Sequence, residues 1–276
     1  MTDYDPYIWS ISKENTNKEY VPNIKRAGLL NKNREFADFS ELWNPIQEKI
    51  PETFLRTIAV INFARAEDPG GQIFARKLYG APIIGKHEET SFVDEKTQMR
   101  QSLIYMNVDK SVKITKEEFR AVLVHEIGHA VFRNLKEDEL ERWSAIDTVE
   151  KTSVSEYVSD RRKSGKQQDT VKDDFCESFA LFVEIPGLLK IIAPQRYAYM
   201  EKLFSNHDEP LLIAKKRENR EREVEKYQTE MRNLGWDEEK IRAGYQDGKR
   251  YPLNWIPQYI QKYTNTTNTP EREQTE

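Results

Sequence analysis

Between Thr115 and Leu135 the chain carries its most constraining signal, a helix whose start and inner face can both be read. Thr115 and Glu118 have capping-box spacing, in which each side chain accepts from a free backbone amide of the other residue. Phe119, Val122, Leu123, Ala130 and Val131 then form an apolar stripe, and the helix is predicted from about Lys116 to Leu135. Inside it lies Val124-His125-Glu126-Ile127-Gly128-His129. Residues four apart on a helix sit about 40° apart around its axis, so both imidazoles project from one face. That arrangement supplies two nitrogen ligands of a tetrahedral zinc ion, and Glu126 can reach a water at the metal without being a ligand. Gly128 costs helix propensity, which makes sense if another backbone or a substrate comes close. The chain has four histidines, and two of them fall in this pattern, which argues against a chance match on an amphipathic helix.

Other elements are legible around it. Phe39–Ile50 reads as a short helix with Ser40 as N-cap. Thr57–Ala64 and Ser102–Val108 read as strands, separated by a loop-rich segment containing Gly80, Pro82 and Gly85. Residues 151–172 are a polar excursion with at most a short helix. Asp173–Leu189 returns to helical periodicity, with Phe175, Phe179, Phe182 and Val183 on one side and Pro186-Gly187 ending or bending it. Leu211–Leu234 is a long charged helix, whose charge run is an exposed face or a partner-binding surface. Residues 236–263 hold enough aromatics for one or two packed helices, with Trp236, Trp255 and Tyr259 expected in the core. The expected organisation is an N-terminal arm and short helix (1–50), a core (51–205), a helical subdomain (206–264) and a disordered tail (265–276).

A catalytic zinc normally keeps three protein ligands. Asp173 and Glu177 lie one turn apart on the later helix, away from the phenylalanines, and are candidates for the third. The segment Glu156-Tyr157-Val158-Ser159-Asp160 offers a weaker E-x-x-x-D pair. His87 and His207 lie in loop-like sequence and read as surface histidines. Cys176 reads as a buried small hydrophobe, with a thiolate ligand as the alternative.

Together, H-E-I-G-H-A at residues 125–130 and D-D-F-C-E-S-F at 173–179 resemble the gluzincin metallopeptidases. More narrowly, they look like the group containing the anthrax lethal factor protease domain and the Pro-Pro endopeptidases. The resemblance covers about residues 100–190. It implies an α+β, zincin-like domain, with a small twisted sheet over the His125 helix and a mainly helical C-terminal part. It also implies that Asp173 ligates zinc while Glu177 orients a ligand histidine. The family ligand is normally glutamate, so Glu177 stands as the alternative ligand. Tyr157 matches a family tyrosine that points at the oxyanion; its alternative is an ordinary core tyrosine. The strand Ser102–Val108 would be the edge that receives an extended peptide.

The function expected is a zinc-dependent endopeptidase with Glu126 as general base, acting on a peptide or protein. The alternative is a non-catalytic zinc-binding structural or interaction protein, such as a virion or scaffold component, although a purely structural site has no use for Glu126. A net charge of −4 argues against a dedicated nucleic-acid binder. No segment has the roughly 18 apolar residues of a membrane span. With one cysteine and no signal-like N-terminus, a cytoplasmic location is expected, with export lacking a cleaved signal as an alternative. The sequence says nothing about oligomeric state.

Overall fold

The computed structural model describes residues 20–30, 36–68, 71–75, 77–78, 81–109, 114–150, 153–163, 167–208 and 210–247. The chain is mostly helical, with one small open sheet near its N-terminus, an α+β arrangement. The sheet holds β1 (Asn23–Lys25), β2 (Ile58–Ala64), β5 (Gly85–Val93) and β6 (Arg100–Asn107), while β3 (Lys77–Leu78) and β4 (Ala81–Pro82) form a separate two-stranded ladder. Its order is β1-β2-β6-β5, with β1, β2 and β6 parallel and β5 antiparallel to β6. β2 and β6 carry the buried apolar residues Ile58, Ile61, Phe63, Ile104 and Met106, which accounts for their legibility.

The sheet topology corrects two expectations. The strand expected at the edge, here β6, lies inside the sheet between β2 and β5. The edge belongs to β5, which occupies the segment read as loop-rich. Its sequence, Gly-Lys-His-Glu-Glu-Thr-Ser-Phe-Val, lacks the apolar alternation that marks a half-buried strand, and none of its residues is buried.

The helices with both ends described are α1 (Phe39–Lys49), α2 (Glu52–Leu55), α3 (Lys116–Phe132), α4 (Glu137–Val149), α5 (Glu156–Lys163), α6 (Gln167–Glu184), α7 (Pro186–Ile192), α8 (Pro194–His207), α9 (Pro210–Asn233) and α10 (Glu238–Asp247). The capping box of Thr115 and Glu118 is formed as expected at the start of α3. At α1 the cap is Asp38, not Ser40: its carboxylate accepts from the amides of Ser40 and Glu41. Asp38 lies one residue earlier, in extended backbone, where an N-cap side chain can turn back onto the first turn. The helices α4 and α8 fall where the sequence pattern gives no reading. His207 closes the last turn of α8 rather than a loop, with its ring 4.8 Å from that of Phe54. Trp236 packs partly buried against the core as expected. The expectations for Trp255, Tyr259 and the tail at 265–276 lie outside the described residues, as does most of the N-terminal arm.

The core is one cluster that joins the sheet to α1, α3, α6, α7 and α8. Phe175, Phe179 and Phe182 of α6 enter it, and Phe54, Phe204, Trp143 and Tyr197 meet them edge-on or tilted. α3 and α6 run antiparallel. Arg120 near the start of α3 clamps Glu184 at the end of α6, with Nη2 2.6 Å from Oε2. Further along, Gly128 backs onto Cys176: a Cβ on Gly128 would stand 3.1 Å from the Cys176 Cα. The close approach anticipated from this glycine is therefore the backbone of α6.

A buried ion pair fixes the other side of α6. Arg196 on α8 is fully buried; its Nε donates to Asp174 (2.9 Å) and its Nη1 to the Glu150 carbonyl and carboxylate (2.8 and 3.0 Å). Removing one member of such a set leaves an uncompensated buried charge, which costs about 3–5 kcal/mol. Asp174 faces this anchor, and its neighbour Asp173, about 100° further round the helix, faces His129 of α3.

Candidate metal centre

The α3–α6 crossing brings four of the sequence-predicted residues together. The Nε2 atoms of His125 and His129 stand 3.2 Å apart. Asp173 Oδ1 lies 3.5 Å from His129 Nε2. Two ligands at about 2.0–2.1 Å from a tetrahedral zinc are separated by roughly 3.3–3.4 Å. Both separations are therefore of ligand-pair size, and the pairs share the same nitrogen of His129. On the far side of the other ring, His125 Nδ1 lies 2.9 Å from Glu177 Oε1. A carboxylate behind an imidazole in this way fixes the ring and raises its basicity as a ligand.

Cys176 is also here. His125, His129 and Cys176 present ligand atoms that all lie within 4.8 Å of one another, a cluster able to hold a metal ion. The buried thiol expected from the sequence is found, but it is more than filling. Its Sγ lies 3.1 Å from His129 Nδ1, the ring nitrogen opposite the one that faces His125. Burial, reinforced by Asp173 and Glu126, pushes the Cys176 pKa well above its ordinary value.

Charge explains why this cluster suits a cation. Glu126, Asp173 and Glu177 are all buried, at 7%, 4% and 7% exposure. Burial alone would lower the His125 pKa, but Glu177, Glu126 and Asp173 overcome it and raise it to about 9. In the absence of an ion, the carboxylates draw a proton onto the imidazole. Burial also lifts Glu126 to about 7, with His125 opposing and Asp173 and Glu177 adding to the rise.

Glu126 reaches from α3 to the edge strand. Its carboxylate accepts from the main-chain amide of His87. Gly85 makes room for it: a Cβ there would stand 2.6 Å from Glu126 Oε1 and 2.7 Å from Val122 Cγ1. The candidate base thus meets β5, the last strand of the sheet among the described residues, at the His87 amide.

His87 itself corrects the reading as a surface histidine. It sits on β5, half-buried, with its ring centre 5.6 Å from that of His129 and its Nε2 2.8 Å from Ser102 Oγ. Burial, with the charges of Lys172, Arg133 and His125, pulls its pKa down to about 4, so it is neutral near pH 7. Because β5 is unrecognisable as a strand, no sequence signal marked His87 as a neighbour of the centre. The backbone of Tyr157 lies in α5, which packs against α6; the side chains of Glu156, Tyr157 and Asp160 lie outside the described residues.

No family model matches this chain, and comparison with curated proteins and with solved structures finds no match either. What the chain presents is a His125-Glu126-x-x-His129 metal-binding motif with Cys176 beside it, consistent with a zinc site. Among the described residues, no helix is long and apolar enough to cross a membrane.

Proposed function

We propose that the chain is a zinc-dependent endopeptidase in which His125, His129 and Asp173 hold the ion and Glu126 is the general base. The observation that carries this reading is the shared His129 Nε2, at 3.2 Å from His125 Nε2 and 3.5 Å from Asp173 Oδ1. One ion cannot take both nitrogens of a ring from one position. The Cys176 sulfur approaches His129 from the Nδ1 side, at 3.1 Å, whereas Asp173 approaches the nitrogen that faces His125. In this assignment Glu177 orients His125, and the Cys176 sulfur contacts the outer nitrogen of His129. Two imidazoles and a carboxylate suit zinc.

When bound, zinc supplies a Lewis acid and lowers the pKa of a water toward 7. Glu126 takes the proton of the attacking water and delivers it to the leaving amine, so the peptide bond is exchanged for a carboxylate and a free amine. Burial raises the Glu126 pKa and a bound cation lowers it, so the group is drawn toward both the protonated and the ionised form that the transfer uses. Tyr157, on a helix packed against α6, is the proposed oxyanion donor. The receiving edge for an extended peptide is β5, whose His87 amide meets Glu126 and whose Phe92 and Val93 are exposed. A structural zinc site would need neither the buried Glu126 nor the glycine that accommodates it.

The test is digestion of denatured casein and of a mixed peptide library by the purified chain. Zinc-loaded protein cleaves, a chelator stops cleavage, and added zinc restores it. Intact substrates with fully zinc-loaded protein contradict the reading.

A further inference from the structure

About two and a half turns along α6 from Asp173, the same helix borders a second polar feature. A cavity of about 330 Å³ opens between α1, the end of α6, α8 and α9. That is the lower end of the range for small-ligand pockets, roughly 300–1,000 Å³. Five cationic residues line it, Lys49, Lys216, Arg220, Arg222 and Lys226, against two acidic ones, Glu48 and Glu223.

Most of these cations are already committed. Lys49 Nζ donates to the Val183 carbonyl and pairs with Glu223 at 3.0 Å. Lys216 Nζ donates to the Ile50 carbonyl and pairs with Asp208 at 3.1 Å. Arg222 donates to Asn219, one turn back on its own helix. Arg220 differs. It is 9% exposed, yet among the described residues its guanidinium donates to no protein acceptor. What holds it is aromatic: it lies 4.2 Å from the centre of the Phe182 ring and 5.5 Å from that of Phe204. Burial outweighs the acidic groups around it (Glu201, Glu223 and Asp208) and pulls its pKa below the ordinary value.

A guanidinium stacked on ring faces keeps its N–H edge free, in a fork that matches two oxygens of a carboxylate or phosphoryl group. No Arg220 nitrogen is sealed in protein without a partner, so the N–H edge is reachable from the cavity and a ligand oxygen can meet it there. We propose that this cavity is a binding site for a small oxyanion ligand, with Arg220 as the central donor and Arg222 and Lys226 as rim charges. The site is distinct from the metal centre: it shares α6 with it but none of its residues.

The experiment is a thermal-shift and calorimetric titration of the zinc-loaded full chain with inorganic phosphate and, separately, citrate, each against sodium chloride of equal ionic strength. Saturable binding of one of them is expected, and which one binds distinguishes a phosphoryl from a carboxylate ligand. Arg220→Gln should weaken it by about tenfold or more. Should that variant fail to fold, Arg222→Gln with Lys226→Gln, both on the rim of the cavity, should weaken it severalfold in a folded protein. Absence of saturable binding for both anions, or unchanged affinity in a folded variant, overturns the proposal.

Discussion

Replacing Glu126 with Gln is expected to lower peptide cleavage by about 10³-fold, within the range that general acid–base catalysis supplies, while zinc stays bound at wild-type stoichiometry. The amide is nearly isosteric with the carboxylate. It therefore keeps the fit against Gly85 and still accepts from the His87 amide. What it loses is the ability to take a proton. The direction of the pH profile follows from the same group. The base acts ionised, so activity falls as pH drops through its pKa. Burial raises that value to about 7, and a nearby divalent cation favours the carboxylate, so the acidic limb lies at or below about 7. Steady-state cleavage by the variant and the wild type, with metal content measured on the same samples, checks this. Loss of zinc in the Gln variant would mean that Glu126 is a ligand rather than the base.

The second large effect separates the three side chains that α6 brings to the centre. Asp173→Ala is expected to weaken zinc binding by well over the roughly 10–100-fold that loss of an outer-shell partner costs. Glu177→Gln should fall within that 10–100-fold range, because Glu177 acts through His125 Nδ1 at 2.9 Å. Cys176→Ala should cost least, because its sulfur meets only the outer nitrogen of His129. Competition against a chromophoric chelator gives the three affinities. If Cys176→Ala causes the greatest loss, the ion sits on the other face of the His129 ring.

How much of this was legible in the sequence depended on which physical signal each part carries. The α3 helix and its two imidazoles were readable because capping, apolar periodicity and i,i+4 spacing all agree there. The pairing with α6 was readable in part: Asp173 and Glu177 share a helical face, and Phe175 and Phe179 mark the opposite, core-facing side. What spacing alone cannot give is which atom faces which, so the contact of Cys176 with His129 Nδ1 went unread. The sheet edge was misassigned for a different reason. The apolar pattern marks strands with a buried face, as in β2 and β6. An edge strand of mixed polar residues such as β5 carries no such mark, and with it His87 and the seat of Glu126 against Gly85 were lost. Arg220 was hidden in a run that reads as a solvated charged face, because its burial is set by Phe182 and Phe204 from two other helices.

The most direct test is X-ray absorption at the zinc edge on the chain loaded with one equivalent of zinc. The nearest shell should consist only of nitrogen and oxygen scatterers at about 2.0–2.2 Å, with multiple scattering from two imidazoles. A sulfur scatterer at about 2.3 Å, or failure of the purified chain to retain one zinc ion, would contradict it.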